Sequence, residues 1–418
     1  MNQRRTVTAA VLCLLVIGTT PLSAEVLFSG SVGSAVTLSV EPADGYDDSP
    51  INVANVMGVT DLTYSIENTF RIAASGDSTA FDLWVRLAYV PLAEILAPGS
   101  GTDQYVAEIM RSALYWRPTD SLEIALGRQG LLGGFGYGWN PVELASPPRN
   151  PADPDAAMRG IDSLSATFSP ANWLQTRVYG ALPAAIGTAD YDQLLIGASV
   201  TCRFGGLETE LAGLLGGDTP QLVPDPYPNA LAAALYADLF GIGIYAEGVW
   251  RPSSRRGTPD PLGFIALREE NTWTAVAGAE YFFSSGVIVN AEYFFNGEGY
   301  DEEQRQDYVA ALAAMTPESA PALYAAYAPG YFARHYVLLN ATVPVYVLDT
   351  VVTLGGIVSP DSSALGLFPS IEMTLGPEGE LTASAGWSGL FSWDDQSNSE
   401  IELSPVKHSF VVEAAYHY

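Results

Sequence analysis

The 418-residue chain holds two cysteines, three histidines and a single lysine, and each shortage removes a class of chemistry. Cys13 falls within the first 24 residues, which leaves Cys202 alone, so neither an internal disulfide nor a cysteine-based metal cluster is available. His335, His408 and His417 sit in no Ser/His or Asp/His arrangement of the kind a barrel lipase or protease needs, and no catalytic residue, cofactor or metal is expected. Lysine and arginine together number 18 against 47 acidic residues, a net charge of −29, which excludes nucleic acid as a partner. Also missing after residue 24 is any long uninterrupted apolar run, and a spanning helix needs about 20 such residues.

The N-terminus supplies what the rest lacks. "MNQRR", the apolar "TAAVLCLLVIG" and the small-residue "TTPLSA" have the layout of a secretory signal peptide over residues 1–24, cleaved after Ala24, with Cys13 lost in the process. Residues 25–418 then form one unit, since no linker rich in proline, serine and glycine divides them. A composition that is 48% hydrophobic and 11% aromatic, with no spanning helix, points to the outer membrane of a diderm bacterium, crossed by tilted strands.

Periodicity carries that reading further. About eighteen candidate strands follow one another, from 26–40 and 61–74 to 381–393 and 406–418. Tight connections such as "SGDS", "RPTD", "SPAN" and "RFGG" alternate with longer ones that include 130–158 and 297–332. This alternation predicts an all-β fold, a transmembrane antiparallel up-and-down β-barrel of about 18 strands (16–18), with short periplasmic turns and long external loops. In residues 79–90, Phe81, Leu83, Val85, Leu87 and Tyr89 alternate with Asp82, Trp84, Arg86 and Ala88, so the first set faces lipid and the second the lumen. Two stretches resist the pattern: strict alternation places Glu108 and Arg111 on opposite faces, and 230–240 also has the composition of a helix.

The chain ends on "HSFVVEAAYHY", with Phe410, Val412, Ala414, Tyr416 and Tyr418 on one apolar face, and in a closed barrel this strand pairs with the first. An apolar-alternating last strand with a terminal aromatic resembles the signal that outer-membrane proteins present to the barrel-assembly machinery. The resemblance implies that Phe410, Val412, Tyr416 and Tyr418 carry that signal here, with outer-membrane lipid and the assembly machinery as partners. A second resemblance lies in Gly127-Arg128-Gln129, the aromatic-glycine stretch to Trp139, Asn140-Pro141 and the returning Arg159-Gly160. It is similar to porins of the alginate-export and substrate-specific kind, although the usual aspartate after Asn-Pro is replaced by Glu143. No substrate follows from it.

The first strand starts close to residue 25, which leaves no room for an N-terminal plug, and a barrel of this size encloses water. Passive permeation of small polar or ionic solutes is the implied activity. Candidate pore-lining residues are Arg71, Arg86, Arg128, Arg159, Arg177, Arg203, Glu67 and Asp82, because arginine facing lipid at mid-depth costs about 2–4 kcal/mol. For Arg128 alone, alternation from Leu122 and Ile124 points the other way.

The glycine- and proline-rich 130–158 stretch is the candidate constriction loop. Its Trp139, Asn140, Glu143, Asp153 and Asp155 would stand across the pore from the arginines and create a charge-selective field. Residues 307–328 have the composition of a helix in the longest loop, a lid over the mouth. "RPSSRR" (251–256) is the one basic cluster, suited to anionic surface groups, and Tyr281, Phe282, Phe283, Tyr293, Phe294 and Phe295 suit interface girdles. Alternatives are a transporter of lipid-like substrates and an adhesin built on acidic loops; a homo-oligomer fits the class, and nothing in the sequence requires one.

Overall fold

A computed structural model describes residues 25–40, 45, 49–52, 55, 59, 61–90, 104–131, 133–146, 149, 151, 159–182, 194–216, 228–259, 265–266, 270–316, 323–324, 326–376, 379–394 and 398–418. The expected signal peptide lies outside the described residues, as do Asp153 and Asp155.

Strands follow in chain order as β1 (Glu25–Val40), β2 (Leu62–Ser75), β3 (Thr79–Val90), β4 (Gln104–Thr119), β5 (Leu122–Gln129), β6 (Ile161–Ala171) and β7 (Leu174–Leu182). Next come β8 (Leu195–Phe204), β9 (Leu207–Leu215), β10 (Ala230–Leu239), β11 (Ile242–Arg251) and a two-stranded ribbon, β12 (Thr258–Pro259) with β13 (Ile265–Ala266). β14 (Thr272–Phe282), β15 (Ile288–Asn296), β16 (His335–Val345), β17 (Thr350–Ser359), β18 (Ala364–Leu375), β19 (Leu381–Ser392) and β20 (His408–His417) complete the set. Apart from the ribbon, the strands make one 18-stranded antiparallel sheet in which each pairs with its chain neighbour and β1 pairs with β20, so the sheet is a closed barrel.

The closure explains the aromatic ending. Leu38 stands opposite Phe410, Val36 opposite Val412 and Val32 opposite Tyr416. Tyr418 exchanges two 3.0 Å backbone hydrogen bonds with Gly30, and its ring lies 5.7 Å from that of Phe28. The terminus is therefore held in the ladder instead of fraying. Phe410, Val412, Tyr416 and Tyr418 are all exposed on the outer wall.

Alternation sorts the wall into two faces. Exposed leucines such as Leu126, Leu164, Leu211 and Leu231 mark the outside, and the intervening positions turn inward. β4 follows the rule only by breaking it once. Trp84 pairs with Arg111 and Val85 with Ile109, so Met110 is an extra residue, and this bulge resets the parity to bring Glu108 and Arg111 to the same inward face. The stretch is strand over residues 230–239, not helix, and turns at Phe240: its alternate alanines Ala230, Ala232 and Ala234 are buried against other residues inside the barrel, which a helix would not allow.

Where the long loops emerge, α1 (Glu302–Ala313) and α2 (Glu400–Leu403) join residues 49–52, 254–257 and 323–334 in a compact cap. Its core includes Ile51, Tyr300, Tyr308, Leu323, Phe332 and Leu403. The helix of the longest loop starts earlier than its composition suggests. Asp301 accepts from the Gln304 N–H at 3.0 Å while the Gln304 side chain accepts from the Asp301 N–H, a capping box that fixes the start at Glu302.

Candidate functional site

The glycines after β5 are spent on an unusual task. Between residues 133 and 139 the chain turns a run of backbone N–H groups toward the inner wall, where three glutamates on inward positions of β9, β11 and β15 receive them. Gly134 donates to Glu210 at 3.0 Å, and Phe135 and Gly136 donate to Glu247, the latter at 2.6 Å. Tyr137 and Trp139 donate to the two oxygens of Glu292 at 2.7 and 2.9 Å, with Gly138 at 3.2 Å between them. Tyr245 adds its hydroxyl to Glu292 at 2.7 Å. Successive N–H groups converging on an anion form the backbone concavity that elsewhere binds phosphate; here the anions are the barrel's own carboxylates.

Glycine is required at two points in the run. Gly134 has φ +72°, and a Cβ there would lie 2.6 Å from Glu247 Oε1. At Gly136 a Cβ would strike the Trp139 carbonyl oxygen.

Apolar contacts extend the attachment. Leu131, Val142, Leu144 and Ala145 of the loop pack on Ala230, Ala232, Ala234 and Val249, whose small or flat side chains leave the room. Trp139 is 0% exposed, stacks on Phe294 with ring centroids 4.8 Å apart, and donates its indole N–H to the Gly330 carbonyl in the cap at 3.0 Å. Asn340 of β16 donates to the Tyr137 hydroxyl at 3.0 Å. The loop thus runs along the inside of the wall from β9 to β16 and is tied to the cap above it.

Most candidate residues fall where alternation puts them. Arg71, Asp82, Arg86, Glu67, Arg177 and Arg203 stand on inward positions, and four of them form two cross-strand pairs, Arg71 with Asp82 at 2.7 Å and Arg86 with Glu67 at 2.6 Å. Arg159 reaches Glu108 at 3.0 Å, and Arg203 reaches Glu208 at 2.9 Å. Arg177 donates to Thr167 at 3.4 Å. Arg71, Arg86, Arg159 and Arg203 thus meet acids on their own side of the barrel instead of presenting an unbalanced basic wall.

Arg128 departs from expectation. It continues the outward set of Ile124 and Leu126 and forms a two-pronged pair with Asp162 at 2.9 and 3.0 Å. A neutralised pair at the end of the strands, away from mid-depth, lowers the cost of facing outward.

Asn140 and Glu143 also have roles other than lining a pore. Glu143 is 6% exposed, accepts from the Asn140 amide at 3.1 Å and pairs with Arg149 at 3.1 Å; Asn140 also donates to the Gly133 carbonyl. Together they brace the loop's return. Phe294, expected in an interface girdle, points inward under Trp139.

Nor is "RPSSRR" a free basic cluster. Arg251 and Arg255 surround Glu298, and Arg256 donates to the Tyr331 and Ala326 carbonyls while lying 4.2 Å over the Tyr300 ring. All three guanidiniums are consumed by the cap.

The sequence does not single out Glu247, and it shows Glu210 and Glu292 only as acids on strands. A signal is nonetheless present: acids at inward parity on three alternate strands, with an upstream loop rich in N–H groups that no side chain obstructs.

Buried carboxyls outside the strands titrate unusually. Burial pushes Glu143 up to about 7, outweighing Arg149. Glu400 of α2, buried in the cap, is likewise raised to about 7 against the Gly330 N–H and Tyr336 hydroxyl that favour its charge. Burial alone would raise Glu298, but Arg255 and Arg251 bring it down to about 2.

For Glu400 the folded value lies above the ordinary 4.5, so the folded cap binds the proton more tightly than the unfolded chain. Its stabilisation is complete below about pH 4.5, falls as pH rises through about 7, and amounts to about 3 kcal/mol. Glu400→Gln, which stays neutral, is therefore expected to show a flatter dependence of cap unfolding on pH between 5 and 8 than the unaltered protein. Thermal unfolding across that range measures the difference.

A closed barrel of eighteen strands has an oily exterior, polar and charged inward positions and a loop folded onto its inner wall. The architecture is porin-like. Such an exterior belongs in an outer membrane, where closure leaves no strand edge to be satisfied by lipid.

No family model matches the chain, and no curated protein matches it. Among solved structures of similar fold, a mutant of the Rh. blastica porin is 11% identical, covers 94% of this chain and 100% of its own, and has a TM-score of 0.46. A loop-deletion mutant of OmpT, an outer membrane protein of Vibrio cholerae, is 10% identical, with coverage of 95% and 100% and a TM-score of 0.40.

Proposed function

We propose that the barrel is a passive channel for small polar or ionic solutes, and that the loop attached to the β9–β16 wall is its constriction. The observation that carries the reading is the set of N–H contacts to Glu210, Glu247 and Glu292, which hold the loop inside the bore and take up cross-section there. β3 and β14 are nine strands apart in a ring of eighteen, so the ion-paired wall of β2–β4 stands across from the loop. Solutes would pass between the two.

Charge preference follows from what remains unpaired. Among the described residues, inward Glu280, Glu372 and Glu413 pair with no basic side chain, and the register places Glu372 beside Ser384 and Ser384 beside Glu413. Two carboxylates in one cross-strand row favour cations.

Purified protein in a planar bilayer should conduct with a K⁺ preference over Cl⁻. Glu372→Gln combined with Glu413→Gln should lower the permeability ratio roughly two-fold. Absence of conductance removes the channel reading; conductance with an unaltered ratio removes only the assignment of these two glutamates.

A further inference from the structure

The short turns of the barrel are not alike. Along one arc of the rim, five successive turns from β6–β7 to β16–β17 carry an exposed apolar side chain at or beside the tip: Trp173, Phe204, Phe240, Phe283 and Val347. On the remaining arc the turns carry Asp77, Asp120 and Glu380. Neighbouring turns touch at both ends of the arc, where Trp173 stacks on Phe204 of the next turn at 5.6 Å and Tyr346 donates to the Ser285 carbonyl of the adjacent turn at 3.3 Å.

Phe240 is the informative position. With Gly241 it forms a two-residue hairpin loop in which φ is +59° and +81°, the geometry that favours asparagine followed by glycine. An aromatic residue in the left-handed region is strained, and this one is 102% exposed, so no contact within the chain offsets the strain. Val347, 94% exposed at the tip of the β16–β17 turn, is similarly without apolar cover. Both side chains present apolar surface that no described residue of the chain covers.

We propose that this arc docks into lipid: the turns from β6 to β17 are immersed in the leaflet at the short-turn end, and the barrel is tilted so that the Asp77, Asp120 and Glu380 turns stay in water. The arc continues the lipid-facing wall without a break, because the outward leucines Leu231, Leu235 and Leu239 lead down β10 directly to Phe240. Its shape also suits a bilayer. Neighbouring turns are two strands apart, roughly 10 Å, so the five tips spread along about 40 Å of convex rim. One to three exposed apolar side chains per turn, spread along a convex arc, give a folded partner no groove to fill, whereas a leaflet can accept all of them at once.

The experiment places a nitroxide label at single cysteines in a Cys202→Ser background, in phospholipid vesicles. The positions are Phe240→Cys, Val347→Cys, Asp77→Cys and Asp120→Cys, with Leu211→Cys on the outer wall as the lipid reference. Collision with oxygen should exceed collision with a water-soluble nickel chelate at 240 and 347, as at 211, and the order should reverse at 77 and 120. Labels at 240 and 347 that behave like those at 77 and 120 overturn the proposal, and so do labels at 77 and 120 that behave like the one at 211. A nickel-accessible label at 211 would fault the membrane placement itself, and the proposal with it.

Discussion

Glu292→Gln should raise single-channel conductance several-fold and make the open level noisy, while Glu247→Gln should change it far less. Both oxygens of Glu292 are in use, accepting from Tyr137, Gly138, Trp139 and the Tyr245 hydroxyl. A glutamine offers one acceptor and turns an NH₂ toward a second donor, so at least one buried N–H is stranded in either orientation at a cost of about 1–3 kcal/mol, with amide facing amide in addition. Glu247 differs because its contacts from Phe135 and Gly136 share one oxygen, while the other has no hydrogen-bond donor. A glutamine there keeps the oxygen that works. The barrel ladder does not depend on either side chain, so both variants should retain β-structure by circular dichroism, and recordings on matched preparations decide the comparison.

Trp139→Ala should act on the loop and the cap together. The indole is fully buried between Phe294 and Tyr336 and is the direct hydrogen-bond link from the loop to Gly330. Truncating such a side chain costs about 3–5 kcal/mol, and no neighbouring side chain is large enough to refill the space without leaving its own place. The expected result is higher conductance combined with faster proteolysis of the cap segment 323–334. Trp139→Phe keeps the stack on Phe294 and loses the N–H, so it should fall between, about 1 kcal/mol weaker than the native residue. Raised conductance with an unchanged cap would show that the two are not coupled through this residue.

The barrel is legible in the sequence because a membrane wall imposes a period of two on nearly every strand, and because turn length records which end of the barrel a connection occupies. Phe81, Leu83 and Val85 on one side of β3, with Asp82 and Arg86 on the other, need nothing more. Legibility fails where one residue breaks the period or where the inside is not wet. Glu108 and Arg111 share a face only through the bulge at Met110, which no alternation rule anticipates. The alanines of β10 resemble a helix because their inward partners are not water but Leu131, Val142 and Ala145 of the loop.

The site is legible in part. The glycine-rich stretch is recognisable as a loop able to bend inward, yet its function as a row of N–H donors depends on which carboxylates stand opposite, and those belong to strands 76 to 155 residues further along. Arg71, Arg86, Arg128 and Arg203, expected to form a basic wall, are instead half of ion pairs whose acids come from adjacent strands. Glu143 looks like a pore charge because an acid after Asn-Pro is conspicuous, but its contacts with Asn140 and Arg149 turn it into a brace. Long-range pairing of this kind is set by register, which one sequence does not reveal.

Position of the glycine-rich loop inside the bore can be tested with cysteines replacing Tyr137 and Asn340 in a Cys202→Ser background, since the native side chains meet at 3.0 Å across the loop and β16. A short thiol-specific crosslinker applied to the protein in lipid should join them in high yield and leave the conductance at its narrow, quiet level. Failure to crosslink, with each cysteine separately reactive, would mean that the loop does not rest on that wall, and a channel narrowed by this loop would be contradicted.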